Sequence, residues 1–174
     1  GDPAVVIDSG GIACEDIQLH SRLGAVYLDC RVDRNDDVIE GQLRFERVGL
    51  SLCNCAGLIE TPLTGRGRGR LTVRGPMDDP DLELDMSFSE SYFDTLAVDT
   101  LHLEAAYSDS RFAISSMHLD SPLGSLGMSG EVKGARLRGF FEDWRAGLDS
   151  CRTDLVASCE NLTMEPFLRF SERI

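Results

Sequence analysis

The stretch Asp16-Ile17-Gln18-Leu19-His20-Ser21-Arg22-Leu23-Gly24-Ala25-Val26-Tyr27-Leu28-Asp29-Cys30-Arg31-Val32 aligns without a gap on Ser116-Met117-His118-Leu119-Asp120-Ser121-Pro122-Leu123-Gly124-Ser125-Leu126-Gly127-Met128-Ser129-Gly130-Glu131-Val132, 100 positions further on. Leu19, Ser21, Leu23, Gly24 and Val32 recur identically, and the other apolar positions match in character. Each unit alternates apolar and polar residues, breaks at a Leu-Gly turn and alternates again, the pattern of two strands of a meander. A second match sets Phe45-Glu46-Arg47-Val48-Gly49-Leu50 against Cys159-Glu160-Asn161-Leu162-Thr163-Met164 at an offset of 114. The larger offset places a 14-residue insertion between Lys133 and Thr153. Repetition of a supersecondary unit defines an architecture. It predicts an all-β, antiparallel meander, with repeat units over about 10–60 and 110–170 and central strands over 65–110. The whole of 1–174 then reads as one segment of a larger repetitive sheet or solenoid, not an enzyme domain.

Outside the repeat the same alphabet continues. Val5 to Ile7 is a short apolar run closed by Ser9-Gly10-Gly11, and Asp33-Arg34-Asn35-Asp36-Asp37 is a hairpin turn leading to a return strand from Val38. Asp81-Leu82-Glu83-Leu84-Asp85-Met86-Ser87-Phe88 alternates without a fault, a strand about 25 Å long with one apolar and one polar face. Val98, Leu101, Leu103, Ala105 and Tyr107 repeat the pattern if a bulge falls at Asp99-Thr100. In the insertion, the spacing of Phe140, Phe141, Trp144 and Leu148 predicts one short helix near 138–149 at an end or edge of the sheet.

Thirty acidic against 17 basic residues give a net charge of -13, which repels phosphate backbones and anionic surfaces. Gly65-Arg66-Gly67-Arg68-Gly69-Arg70 has the composition of an RNA-binding tract, but it is short and runs into the strand Leu71-Thr72-Val73, so no nucleic-acid partner is expected. Asp81, Glu83 and Asp85 are placed to neutralise these arginines. No apolar run reaches the ~18 residues of a membrane span. The chain opens on Gly1 with no signal-peptide core, which reads as an excised segment or a processed chain.

The six cysteines are Cys14, Cys30, Cys53, Cys55, Cys151 and Cys159. Cys53-x-Cys55 puts two thiols on one face of a strand, without the two-to-four-residue spacing of a zinc knuckle, and their Cα atoms lie too far apart for a mutual disulfide. Free, buried thiols fit best, with disulfides in an oxidising compartment as the alternative. No metal site, cofactor motif or catalytic constellation stands out: Gly124-Ser125-Leu126-Gly127 lacks the spacing of a nucleophile elbow, and His20, His102 and His118 fall on polar positions.

Thr61-Pro62-Leu63-Thr64-Gly65, the run to Leu82 through Gly75-Pro76-Met77-Asp78-Asp79-Pro80, Leu101 to Asp109, and Leu119 to Gly130 together resemble TamB and the wider AsmA-like group of bridge-like lipid-transfer proteins. The likeness covers about residues 10–135, with an echo at Leu155 to Phe167; the cysteines and the insertion depart from it. The resemblance implies a β-taco, an open U-shaped sheet with an apolar interior. It also implies a periplasmic segment of an inner-membrane-anchored protein, or one in an equivalent organelle envelope space. Such a segment conducts phospholipid between the inner and outer membranes or assists outer-membrane protein assembly. Its partners would be phospholipid acyl chains and an outer-membrane barrel protein. Its lipid groove would be lined by Leu82, Leu84, Met86, Phe88, Leu101, Leu103, Phe112, Ile114, Leu119, Leu126 and Met128. The alternative is a structural β-solenoid that binds a partner protein by strand addition at its edges.

Overall fold

The computed structural model describes residues 3–22, 24–49, 51, 63–93, 96–134, 151–161 and 163. The strands are β1 (Ala4–Ile7), β2 (Gly11–Ser21), β3 (Gly24–Asp33), β4 (Val38–Gly49), β5 (Leu63–Pro76), β6 (Asp81–Phe93), β7 (Leu96–Ser108), β8 (Arg111–Ser121), β9 (Gly124–Lys133) and β10 (Arg152–Glu160). They form one antiparallel sheet whose strand order is the chain order. The sheet is open, with β1 and β10 at its two edges. The expected helix over 138–149 and the pair Cys53 and Cys55 lie outside the described residues.

Local chemistry makes the turns. Ser108 pairs with Arg111 across two residues, Asp109 (φ 49°) and Ser110 (φ 57°), the left-handed pair that matches the twist of the flanking strands. The 34–37 loop is closed by Asp33, whose carboxylate accepts from the Asn35 and Asp36 amides at 2.9 and 3.3 Å.

Register then sorts the side chains, because residues paired across an antiparallel ladder project to the same face. Leu82, Leu84, Met86 and Phe88 on β6 stand opposite Tyr107, Ala105, Leu103 and Leu101 on β7. Glu83, Asp85 and Ser87 stand opposite Ala106, Glu104 and His102 on the other face. The same division holds from β2 to β9, so the sheet has one apolar and one polar face.

Three bulges keep this division in phase. Each inserts a residue in a left-handed conformation: Asp16 (φ 51°) in β2, Arg47 (φ 52°) in β4 and Glu90 (φ 50°) in β6. A fourth irregularity lies in β8, where Ser115 is the extra residue between Ile114 and Ser116. The bulge expected at Asp99-Thr100 is not there: the β6–β7 register runs unshifted from Ser89↔Thr100 to Ser91↔Val98. The β7 pattern changes phase there because β6 does so opposite it: past the Glu90 bulge, Ser91 lies on the side of Gly65, and Ser91 and its partner Val98 are both buried on the apolar face.

The two repeat copies superpose in register. Ile17↔Leu28, Leu19↔Val26 and Ser21↔Gly24 become Met117↔Met128, Leu119↔Leu126 and Ser121↔Gly124 at an offset of 100. Phe45, Leu43 and Gly41 on β4 have counterparts in Cys159, Ala157 and Leu155 on β10 at an offset of 114. The difference lies in one connection, residues 34–37 in the first copy and the stretch between Lys133 and Arg152 in the second, of which 135–150 lie outside the described residues. Leu23 is outside the described residues, so only Leu123 of that pair is placed. Gly24 (φ +136°) and Gly124 (φ +128°) begin equivalent strands, and a Cβ on either would meet the backbone of the next strand at 2.6–2.7 Å. Gly65 (φ +124°) does the same against Ser91, a third occurrence of the device inside the central strands.

Candidate functional site

The apolar face is the feature that asks for a function. All eleven residues expected to line a groove lie on it. From the β6 row of Leu82, Leu84, Met86 and Phe88 it passes through Leu101 and Leu103 on β7 to Phe112, Ile114 and Leu119 on β8, then to Leu126 and Met128 on β9. It also runs the other way, through Leu71 and Val73 on β5 and Leu43 and Phe45 on β4 to Val26 and Leu28 on β3 and Ile17 and Leu19 on β2. These earlier strands were missed as site residues although they carry the same alternation. Their membership follows from register, which runs unshifted from Val38↔Pro76 to Phe45↔Gly69 and from Arg66↔Ser89 to Arg74↔Asp81.

Scale separates this face from an ordinary surface patch. Eight strands, β2 to β9, at ~4.8 Å spacing and about nine residues of common length at ~3.4 Å give a face on the order of 1,000 Å². The largest apolar patch of a typical monomer is about 300–600 Å². All eleven groove residues are half-buried, whereas Val98, Ala105, Tyr107 and Val132 are the buried hydrophobics among the described residues. Contact with in-plane neighbours accounts for such half burial; every substantial strand contact is between consecutive strands. A half-covered leucine gains about 1 kcal/mol, half of what full burial would give.

The Arg-Gly tract belongs to this surface. It lies inside β5, with Gly67 and Gly69 on the apolar face and Arg66, Arg68 and Arg70 on the polar one. A Cβ on Gly67 would sit 2.2 Å from the Phe88 ring, and one on Gly69 would sit 2.8 Å from the Phe45 ring. The glycines therefore make room for two aromatic rings laid across the strand, a packing reason for a tract that looks like a nucleic-acid motif. On the polar side Arg74 stands opposite Asp81 and Arg70 opposite Asp85.

The polar face is laced with short-range pairs. Arg44 lies 4.3 Å from the centroid of the Tyr27 ring, and His20 meets the same ring edge-on. Asp120 accepts from Ser125 Oγ at 2.7 Å and Thr100 Oγ1 at 2.9 Å, with His118 Nε2 at 3.2 Å. The two hydroxyl donors, Ser125 foremost, hold its carboxyl below the usual range, and His118 adds to them. Lys133, and behind it Arg111, does the same for Glu131. Cys14, Cys30 and Cys159 are free thiols, and Cys14 and Cys30 face each other across β2 and β3 on the apolar face. Burial, and after it Cys14, pushes the Cys30 thiol up.

Compared with family models, with curated proteins and with solved structures, the chain matches none. Among the described residues no helix is long and apolar enough to cross a membrane.

Proposed function

We propose that the apolar face is a lipid-bearing surface. In this reading the sheet curves into a U, its apolar face becomes the lining of a groove, and acyl chains of phospholipid cover what the protein leaves half covered. The chain is then a non-enzymatic segment of an envelope-spanning protein that conducts phospholipid between inner and outer membranes, in the periplasm or an equivalent space, with an outer-membrane barrel protein as a partner and no nucleic acid. One observation carries the reading: an apolar face spanning strands β2 to β9 whose eleven expected groove residues are all half-buried. A closed scaffold would bury such a face against a second layer, since leaving this much apolar surface wet costs tens of cal/mol per Å².

The test is native mass spectrometry and lipid extraction of the purified chain, before and after exposure to phospholipid vesicles. Phospholipid should be retained by the wild type and reduced in Leu84→Asp and Leu103→Arg, with the far-ultraviolet circular dichroism unchanged. A wild type that never retains lipid, together with variants that unfold, would overturn the conduit. The alternative, a scaffold binding a protein by strand addition, draws on β10: all nine of its residues are exposed, Val156 at 66%. A partner strand added there would protect β10 amides from hydrogen exchange and leave the lipid content unaltered.

A further inference from the structure

The polar face brings together a second constellation, independent of the groove. Asp85 on β6 lies opposite Glu104 on β7, and His102 lies two residues before Glu104 on the same face. One ligand atom from each of Asp85, His102 and Glu104 can be chosen so that all three lie within 4.8 Å of one another. His102 Nε2 is already 3.3 Å from Glu104 Oε1. Across the next ladder His118 stands directly opposite His102, with its Nε2 3.2 Å from Asp120. Sequence reasoning missed the group because Asp85 lies 17 residues before His102, His118 lies 16 after it, and only the β6–β7–β8 register joins them.

We propose that Asp85, His102 and Glu104, with His118 opposite His102 as a further donor, form a binding site for a divalent transition-metal ion of the Zn²⁺ type. Like charges directly opposed on a sheet repel, and the Asp85–Glu104 pair sits in a chain of net charge -13 with Arg70 as the cross-strand cation. A dication removes that repulsion. One imidazole with two carboxylates suits Zn²⁺ and its neighbours better than Mg²⁺ or Ca²⁺, which take oxygen ligands alone. Bonds of about 2.0–2.2 Å bring adjacent ligand atoms to about 3–3.5 Å from each other. The observed spread of up to 4.8 Å is to be closed by side-chain rotation, for which the exposed Asp85 and Glu104 have room. A bound ion would pin β6 to β7 on the face opposite the groove and so stiffen the sheet without entering the lipid path.

The test is titration of the whole chain with Co²⁺ alone, as a spectroscopic stand-in for Zn²⁺, at neutral pH. Visible d–d bands report binding, and a thiolate charge-transfer band in the near ultraviolet reports ligation by cysteine. The expected result is one ion bound without the thiolate band, displaced by Zn²⁺. Binding should weaken at least about tenfold in His102→Gln and in Glu104→Gln, since losing a ligand costs no less than losing its supporting partner, and stay unchanged in His20→Gln. Failure to bind Co²⁺, a spectrum carrying the thiolate band alone, or equal affinity in His102→Gln and the wild type would each overturn the proposal. Lipid retention is a separate readout, so the groove can fail while the metal site stands.

Discussion

The strands β2–β4 and β8–β10 are one design used twice, yet they are covered differently. In the first copy β4 lies between β3 and β5, and Ile39, Leu43 and Phe45 on its apolar side are half-buried. In the second, β10 has no strand beyond it among the described residues, and its counterparts Thr153, Ala157 and Cys159 are exposed. Position decides burial as much as residue type: an apolar face in a single-layer sheet gains cover from its neighbours to left and right, so identical registers have different worth at the centre and at the edge. At three of the four matched apolar positions the larger residue is in β4; at the fourth, Gly41 in β4 stands for the exposed Leu155 in β10.

The turn glycines should break this equivalence most severely. Gly24→Ala forces a Cβ against the Arg47 backbone at positive φ in the packed copy, for an expected loss of about 3–4 kcal/mol from strain and overpacking. Gly124→Ala meets Asn161 in the same way, but β10 can shift outward, and about 1–2 kcal/mol is expected. Urea unfolding of both variants measures the contrast. Equal losses would mean that the edge copy is held as firmly as the central one.

A charge on the apolar face should give the next largest difference. Leu43→Asp, on a half-buried central strand, is expected to cost about 2 kcal/mol, whereas Ala157→Asp at the matched β10 position should stay within about 0.5 kcal/mol. Thermal melts in the presence and absence of phospholipid sharpen the comparison: if lipid covers the face, it should raise the midpoint of the wild type more than that of Leu43→Asp.

A smaller contrast concerns pH. His20 of the first copy is replaced by Asp120 in the second, and hydrogen bonds from Ser125 and Thr100 depress the Asp120 pKa. A carboxyl whose folded pKa is lowered contributes stability above its ordinary value and loses it as the pH falls through the lowered one. Acidification should therefore loosen β7, β8 and β9 before β2 and β3. In an NMR titration the Asp120 carboxyl should show a midpoint below the usual aspartate range and move up towards it in Ser125→Ala. No movement would remove the Ser125 hydroxyl as the cause.

Much of this was legible in the chain because alternation is a local property. Leu82 to Phe88 fixes a strand and its faces without reference to anything else, and the offsets of 100 and 114 locate the insertion that falls between the paired Lys133 and Arg152. What was not legible is non-local. Nothing about Arg47 or Glu90 as residue types marks them for positive φ, so the bulges that carry the apolar face across β4 and β6 show only once strands are paired. The Arg-Gly tract has the composition of an RNA-binding segment, and its packing role shows only once Phe88 and Phe45 are seen against its glycines. The Asp85–His102–Glu104 group exists only through register.

The finest difference between the copies is in their thiols. Cys14 and Cys30 occupy positions that are Ile114 and Gly130 in the second copy, whereas Cys159 replaces Phe45 at the exposed edge. Alkylation proceeds through the thiolate, so a thiol whose pKa is raised reacts slowly at neutral pH, and limited access slows it further. Cys30 is half-buried, with its pKa pushed up first by burial and then by Cys14; Cys159 is exposed. Iodoacetamide labelling followed by peptide mass spectrometry should therefore modify Cys159 well before Cys30, and Cys14→Ser should speed Cys30 only modestly because the neighbour is the lesser cause. Phospholipid bound across the face should slow Cys30 further while leaving Cys159 less affected, which ties this small effect to the larger claim. Equal labelling of Cys30 and Cys159 would show that the centre of the face is as open to solvent as its edge, and the contrast between the two copies would then reduce to their hairpins.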